Sequence, residues 1–173
     1  MKCKGSHAGN LPKYIEKNGG VNVKVEFLVL ADAVEVADGK LFVLGGGWTV
    51  WRSGVYPGQA LLGIGGSILV ESNEAGTNTA YPLNITIADE AGIPIVPPLK
   101  AHFQVGKNLE APNGASQRVP FAFNAGVRIP RAGRYFINAL AGSTSRAQVF
   151  FDAIFVGIKV DLTPSTPSAE RGN

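Results

Sequence analysis

The side chains that most often carry acid–base or nucleophilic chemistry are scarce in this sequence. Its histidines are His7 and His102, and its single cysteine is Cys3. His102 alternates with Lys100 and Gln104, which places it on the wet face of a predicted strand. A nucleophile–base pair needs a positioned imidazole, and a zinc site needs several His or Cys ligands. We therefore expect a protein that is not an enzyme and that has no cofactor and no metal.

Arginine is the most prominent functional side chain of the second half of the chain. Between Glu110 and Asp152 the sequence has five arginines and no acidic residue. Guanidinium groups suit phosphates, carboxylates and protein interfaces alike. Four of them are candidates for binding an anionic partner or a subunit: Arg118, Arg128, Arg131 and Arg134. The alternative is a solvated face whose charge is balanced by acidic residues of neighbouring strands.

Two aspartates raise the possibility of a calcium loop. Asp32 and Asp38 lie in the connection between the first two predicted strands, at a spacing similar to that in C2-type sandwiches. Calcium takes about six to eight oxygen ligands, so Asp89 and Glu90 of another loop would have to join them. In the simpler interpretation Asp38 belongs to a tight turn and Asp32 ends a strand.

Three consecutive glycines at 45–47 have the composition of a phosphate-binding loop. Such loops connect a strand to a helix N-terminus, whereas residues 48–51 here are strand formers. The triplet therefore predicts a bulge or a close approach of another group, and no nucleotide site. Trp51 falls opposite Trp48 and next to Arg52, which makes it a candidate interface anchor.

The elements that must position these residues are short strands. Apolar and polar residues alternate in successive runs, turn signals recur at spacings of roughly 8–12 residues, and no helix exceeds two turns. The run 41–51 carries no charge, so it predicts a strand covered on both faces in the middle of a layered structure. We predict an all-β fold, an antiparallel two-sheet β-sandwich of eight or nine strands, immunoglobulin-like or jelly-roll-like, with a closed barrel as the alternative.

Charge and composition divide the chain into three parts. Residues 1–22 form a basic arm with four basic residues and one acidic residue, in which 10–19 could form two helical turns. Residues 23–162 form the predicted sandwich domain, and 163–173 have the composition of a flexible tail. From residue 23 onward the chain has twelve basic and twelve acidic residues. The basic isoelectric point therefore reflects the arm, and we expect no sequence-specific nucleic-acid binding.

The start of the chain is polar and has no apolar run typical of a secretory signal. No stretch reaches the length of apolar sequence that spans a membrane. We therefore expect a cytoplasmic protein with no membrane contact, and its single cysteine excludes an internal disulfide.

Two segments resemble an uncharacterised bacterial family of small β-sandwich proteins. They are LVLADAVEVADGKLFVLGGGW, residues 28–48, and VPFAFNAGVRIPRAGRYFINAL, residues 119–140. The family pattern opens with LADAA-x-V-x-DGKL-x-VLGGGW and has a P-x-x-G-x-Y strand near its end. The similarity spans roughly residues 23–158. It implies the sandwich fold and transfers no functional residue, because the family has no established activity.

A non-catalytic module that works by assembly agrees best with these features. Charged residues make up only 17% of the chain, below the roughly 25% of typical soluble domains, so part of the surface is expected to be shared with a partner. We expect a protein partner or a homo-oligomer. A structural or decoration component of a virion or particle is one alternative, because sandwich domains with basic arms are frequent in shells. A soluble ligand-binding module that uses the arginines or the calcium loop is another.

Overall fold

Ten β-strands build the described part of the protein, a computed structural model that describes residues 23–71, 80–106 and 115–157. The strands are β1 (Val23–Ala31), β2 (Ala33–Ala37), β3 (Lys40–Leu44), β4 (Val50–Ser53), β5 (Gly58–Val70), β6 (Ala80–Asp89), β7 (Leu99–Gln104), β8 (Gln117–Ile129), β9 (Gly133–Ala141) and β10 (Ser145–Phe155). The helical turns predicted at 10–19 lie outside the described residues, as do the arm and the tail.

These strands form two packed sheets and a separate hairpin. One sheet has the order β1-β5-β8, the other has the order β4-β10-β9-β6-β7, and β2 pairs only with β3. All neighbours are antiparallel except β4 and β10, which run parallel. The order corresponds to an immunoglobulin arrangement in which β1, β5 and β8 take the places of strands A, B and E, and β10, β9, β6 and β7 those of G, F, C and C′. The predicted all-β sandwich is confirmed.

The core consists of the inward-facing residues of both sheets. Alternation along β6 and β9 turns Leu83, Ile85, Ile87, Ile137 and Ala139 inward, and all are buried. The largest fully buried side chains are Tyr135, Phe151, Leu62, Ile64, Ile68, Ile85, Ile87, Ile129, Ile137, Val70 and Val127. Each large aliphatic side chain stabilises the fold by about 1.5–3 kcal/mol through removal from water, so the sandwich needs no crosslink.

The chain crosses from the three-stranded to the five-stranded sheet between β8 and β9. The side chain of Tyr135, at the start of β9, is buried, and its hydroxyl donates a hydrogen bond of 2.8 Å to the carbonyl oxygen of Arg131. This is the tyrosine corner of immunoglobulin-type sandwiches. It gives a physical role to the P-x-x-G-x-Y pattern that ends at Tyr135.

The prediction of one central strand over 41–51 is wrong. The chain forms β3 up to Leu44, leaves strand geometry through the glycines, and re-enters a sheet as β4. β3 belongs to the two-stranded hairpin, and β4 is the edge strand of the five-stranded sheet. The division of this run, together with β2, which was expected to be a loop, is why there are ten strands where eight or nine were expected. The uncharged residues of β3 are largely exposed, so they form part of the protein surface.

Candidate functional site

The hairpin of β2 and β3 is closed by a tight turn. Asp38 has a φ of 50° and Gly39 a φ of 69°, and the flanking residues Ala37 and Lys40 pair directly. Two positive φ angles in a two-residue loop are typical of a type I′ turn, whose twist matches that of the strands. The turn predicted at Asp38–Gly39 is therefore confirmed.

Two glycines of β5 allow the hairpin to lie on the outer face of the three-stranded sheet. A Cβ at Gly63 would come within 2.9 Å of the Cα and carbonyl carbon of Ala33. A Cβ at Gly65 would lie 3.1 Å from Cγ1 of Val34 and 3.2 Å from Cδ1 of Leu41. Both positions lack a side chain where the hairpin backbone and its inward residues approach most closely.

Asn124 of β8 fastens the hairpin to this sheet. Its Oδ1 accepts a hydrogen bond of 3.0 Å from the backbone N–H of Val34, and its Nδ2 donates one of 2.7 Å to the carbonyl oxygen of the same residue. The side-chain amide thereby replaces a neighbouring strand for Val34. At the base of the hairpin, the N–H of Asp32 donates to the carbonyl oxygen of Leu44 over 3.1 Å. The hairpin is a fixed part of the sandwich.

This fixed hairpin exposes large apolar side chains. Because Val34 and Leu41 face the sheet, alternation turns the cross-strand pairs Glu35–Phe42 and Ala33–Leu44 outward. On the outward side Phe42 (54%) and Leu44 (70%) are exposed, while Val36 (39%) and Val43 (43%), the cross-strand partners of Leu41 and Val34, lie on the sheet-facing side and are only partly covered. We call Val36, Phe42, Val43 and Leu44 the hairpin patch. Clustered exposed apolar side chains of this kind mark interaction sites.

A groove adjoins the hairpin patch. It has a volume of about 400 Å³ and lies between the edge strands β7 and β8. Val36 stands at its rim, and its apolar lining includes Ala101, Phe103, Val119 and Phe121. The apolar surface therefore continues from the hairpin to the open side of the sandwich.

The four predicted arginines do not form one surface. Arg118 and Arg128 lie ten residues apart on β8, a separation of roughly 33 Å, and Arg134 lies on β9 of the other sheet. Three of them form ion pairs: Arg118 with Glu26 at 2.8 Å, Arg131 with Asp89 at 3.1 Å and Arg134 with Asp152 at 2.7 Å. Arg128 has no ion pair with a described residue. This placement corresponds to the alternative of charges balanced by neighbouring strands.

Hydrogen bonds from arginine lower the pKa of two of these carboxyl groups. The side-chain hydrogen bonds of Arg118 lower the pKa of the Glu26 carboxyl below its ordinary value. Those of Arg134 lower the pKa of the Asp152 carboxyl in the same way. Both carboxylates are therefore held in the charged form that their arginines require.

Trp51 packs at the margin of the core. The residue is half-buried, and its ring meets that of Tyr56 edge-on with centroids 6.1 Å apart. The ring also packs on Gly58, where an added Cβ would lie only 2.6 Å from Cη2 of Trp51. Trp48 also packs inward, edge-on to Phe151 at 5.8 Å. Both tryptophans thus contribute to the core side of their segment.

The acids of the predicted calcium loop serve local structure. Within residues 23–71, 80–106 and 115–157, no three His, Cys, Asp or Glu side chains lie close enough together to hold a metal ion. Oδ1 of Asp89 accepts hydrogen bonds of 3.0 Å from the N–H groups of Ala91 and Ile93.

Among the described residues there is no helix of the length and apolarity needed to cross a bilayer.

The hairpin patch is the candidate surface that the histidines, arginines, aspartates and tryptophans of the sequence did not indicate. Its signal in the sequence was the charge-free run from Leu41, which is equally typical of a buried strand. No curated protein and no solved structure matches the chain. Residues 26–152, more than two thirds of the sequence and including the hairpin, match the model of a family described as a family of unknown function (DUF6941). The chain belongs to this family.

Proposed function

We propose that this protein is a non-catalytic interaction module that associates with a second copy of itself through the hairpin patch. The observation that carries the proposal is the exposure of four large apolar side chains within nine residues of a hairpin that is fastened to the sandwich. A rigid apolar surface loses little conformational entropy on binding. Burial of Phe42 and Leu44 against a partner would remove the largest part of this exposed surface.

The backbone of the hairpin supports the same proposal. β3 pairs with β2 on one side and with no described strand on the other, so its other edge offers N–H and C=O groups to a neighbouring strand. Two copies related by a twofold axis can pair β3 with β3, which is an isologous contact. The same operation brings each hairpin patch next to that of the partner.

The charge balance favours a second copy as the occupant. From residue 23 onward the basic and acidic residues cancel, so this part of two copies carries no net charge that would keep them apart. The hairpin itself carries both signs on its outward face, since exposed Glu35 and Lys40 flank Phe42. A twofold contact can place Glu35 of one copy near Lys40 of the other.

The test is the mass of the protein in solution, measured by light scattering over a range of concentrations. We expect the full chain to have twice the mass of one chain, and the double variant Phe42→Ser/Leu44→Ser to have the mass of one. The matched control is Ile93→Ser, since Ile93 is 62% exposed on the connection between β6 and β7. This control should remain a dimer.

Three results would count against the proposal. A full chain that is monomeric at all concentrations removes the self-association and favours a ligand-binding module. A double variant that keeps the dimer, with circular dichroism showing an intact fold, moves the contact to another surface. Loss of the dimer in the Ile93 control would show that general surface polarity is decisive and not the hairpin patch.

A further inference from the structure

The outer face of the five-stranded sheet is a second uncovered surface. The hairpin packs against β5 and β8 of the other sheet, and the outward residues Arg146, Gln148 and Phe150 of β10 are exposed. At four strand spacings the face is roughly 20 Å wide, and β10 gives it a length of roughly 30 Å. A surface of that size is comparable with one side of a standard protein interface, about 800 Å² of accessible area.

The centre of this face is aromatic and uncharged. Phe150 of β10 and Phe136 of β9 are cross-strand partners with ring centroids 6.5 Å apart. Beside them, Nε2 of Gln148 donates a hydrogen bond of 2.7 Å to Oδ1 of Asn138. Interface centres are typically depleted in charge and enriched in aromatic side chains.

Arg134 adds a preorganised group to this centre. Its guanidinium lies 4.4 Å from the centroid of the Phe150 ring and donates two hydrogen bonds to Asp152, of 2.7 and 2.9 Å. The pair is neutral as a whole. Arginine is enriched among the residues that dominate binding energy.

The unbalanced charge of the face is positive. Arg146, Leu140, Asn84 and Lys100 form one row across β10, β9, β6 and β7. The two basic residues are therefore three strand spacings apart, roughly 14 Å, and neither has an ion pair with a described residue. Asp152, on the same face, is six positions from Arg146 along β10 and is already paired with Arg134, on which Glu90 also acts electrostatically.

We propose that this face binds an acidic protein partner. Carboxylates of the partner lie opposite Arg146 and Lys100, and its apolar residues cover Phe150 and Leu140. A second copy of this chain is a poor occupant, since a face-to-face pair brings like charges together. This inference is separate from the self-association, because the two surfaces lie on different sheets.

The test uses the full chain with poly-L-glutamate as the probe, titrated by calorimetry at low salt. We expect binding that weakens roughly tenfold in Arg146→Glu/Lys100→Glu, because both contacts change from attraction to repulsion. The matched control is Arg128→Glu/Lys24→Glu. It makes the same change in net charge on the three-stranded sheet and should keep the affinity within about twofold of the wild type. All variants keep the basic arm, so its contribution is constant.

Methyl NMR of Leu140 and Ile154 locates the probe, and their signals should shift on titration. No binding, equal weakening in both double variants, or unchanged methyl signals despite binding would each overturn the proposal. A single-stranded RNA of equal charge is titrated in parallel. Tighter RNA binding with the same dependence on Arg146 and Lys100 would replace the acidic protein by a nucleic acid. The variant Phe42→Ser/Leu44→Ser should bind poly-L-glutamate like the wild type, so failure of the self-association is recognised separately.

Discussion

The hydroxyl of Tyr135 shows how one polar atom fixes the passage between two sheets. The ring lies in the core, stacked on Phe151 with centroids 5.4 Å apart, and the hydroxyl reaches back to the Arg131 carbonyl. The bond ties the start of β9 to the connection between β8 and β9. Its energy is modest, but a partly buried carbonyl that loses its donor keeps part of the cost of desolvation.

The variant Tyr135→Phe isolates this bond. We expect a loss of about 1 kcal/mol in the free energy of unfolding, measured by urea denaturation. Tyr56→Phe is the matched control, because the buried hydroxyl of Tyr56 has no hydrogen-bond partner among the described residues. Removing that hydroxyl should leave the stability unchanged or slightly higher. Equal losses in the two variants would mean that the corner bond contributes nothing specific.

At the same scale, the arginines mark the limit of what the sequence could predict. The acid-free run with its five arginines is visible by inspection, but the partners are not. Glu26 precedes Arg118 by 92 residues and Asp89 precedes Arg131 by 42. Only strand pairing decides which acid meets which arginine. Lys100 and Arg146 have no ion pair with a described residue, and although Arg146 belongs to the acid-free run, its place beside Lys100 on one face depends on the strand order.

At the scale of elements, the sequence predicted the turn of the hairpin correctly and its second strand wrongly. Asp38–Gly39 predicted its turn because two positive φ angles demand such residues. The charge-free run after it was misinterpreted, since a strand buried on both faces and a strand with an interaction surface have the same composition. The glycines at 63 and 65 carry the distinguishing information, but their role depends on the position of Ala33 and Val34 in space.

The variant Gly63→Ala tests the seating of the hairpin. The new methyl group would meet the Ala33 backbone at 2.9 Å, so the hairpin must move away from β5 and strain the bonds of Val34 to Asn124. We expect faster hydrogen exchange of the hairpin amides and a loss of about 1–3 kcal/mol in unfolding free energy. Gly126→Ala is the control, because its methyl group approaches the flexible end of Gln59 at 3.0 Å. If both variants exchange alike, the hairpin is not held by this close approach.

For the whole molecule, alternation was sufficient to predict two layers, and the strand order was beyond it. Period-two burial on successive strands requires an inner face for each sheet, which is why the sandwich was predictable. Which strands become neighbours depends on contacts between distant segments, as in the parallel pairing of β4 with β10. The resulting order puts the hairpin patch on the three-stranded sheet and the basic row of Arg146 and Lys100 on the five-stranded sheet.

This separation predicts opposite salt responses for the two proposed contacts. Raising sodium chloride from 0.1 to 1 M shortens the screening length from about 10 Å to about 3 Å, so binding of poly-L-glutamate should weaken strongly. The self-associated form should persist, because burial of Phe42 and Leu44 is an apolar contribution that salt does not screen and that sulfate strengthens. Sedimentation velocity at both salt concentrations, with and without the probe, measures both effects in one preparation. A dimer that dissociates in sodium chloride would be held mainly by charge pairs such as Glu35 with Lys40, and burial of Phe42 and Leu44 would not be its main contribution.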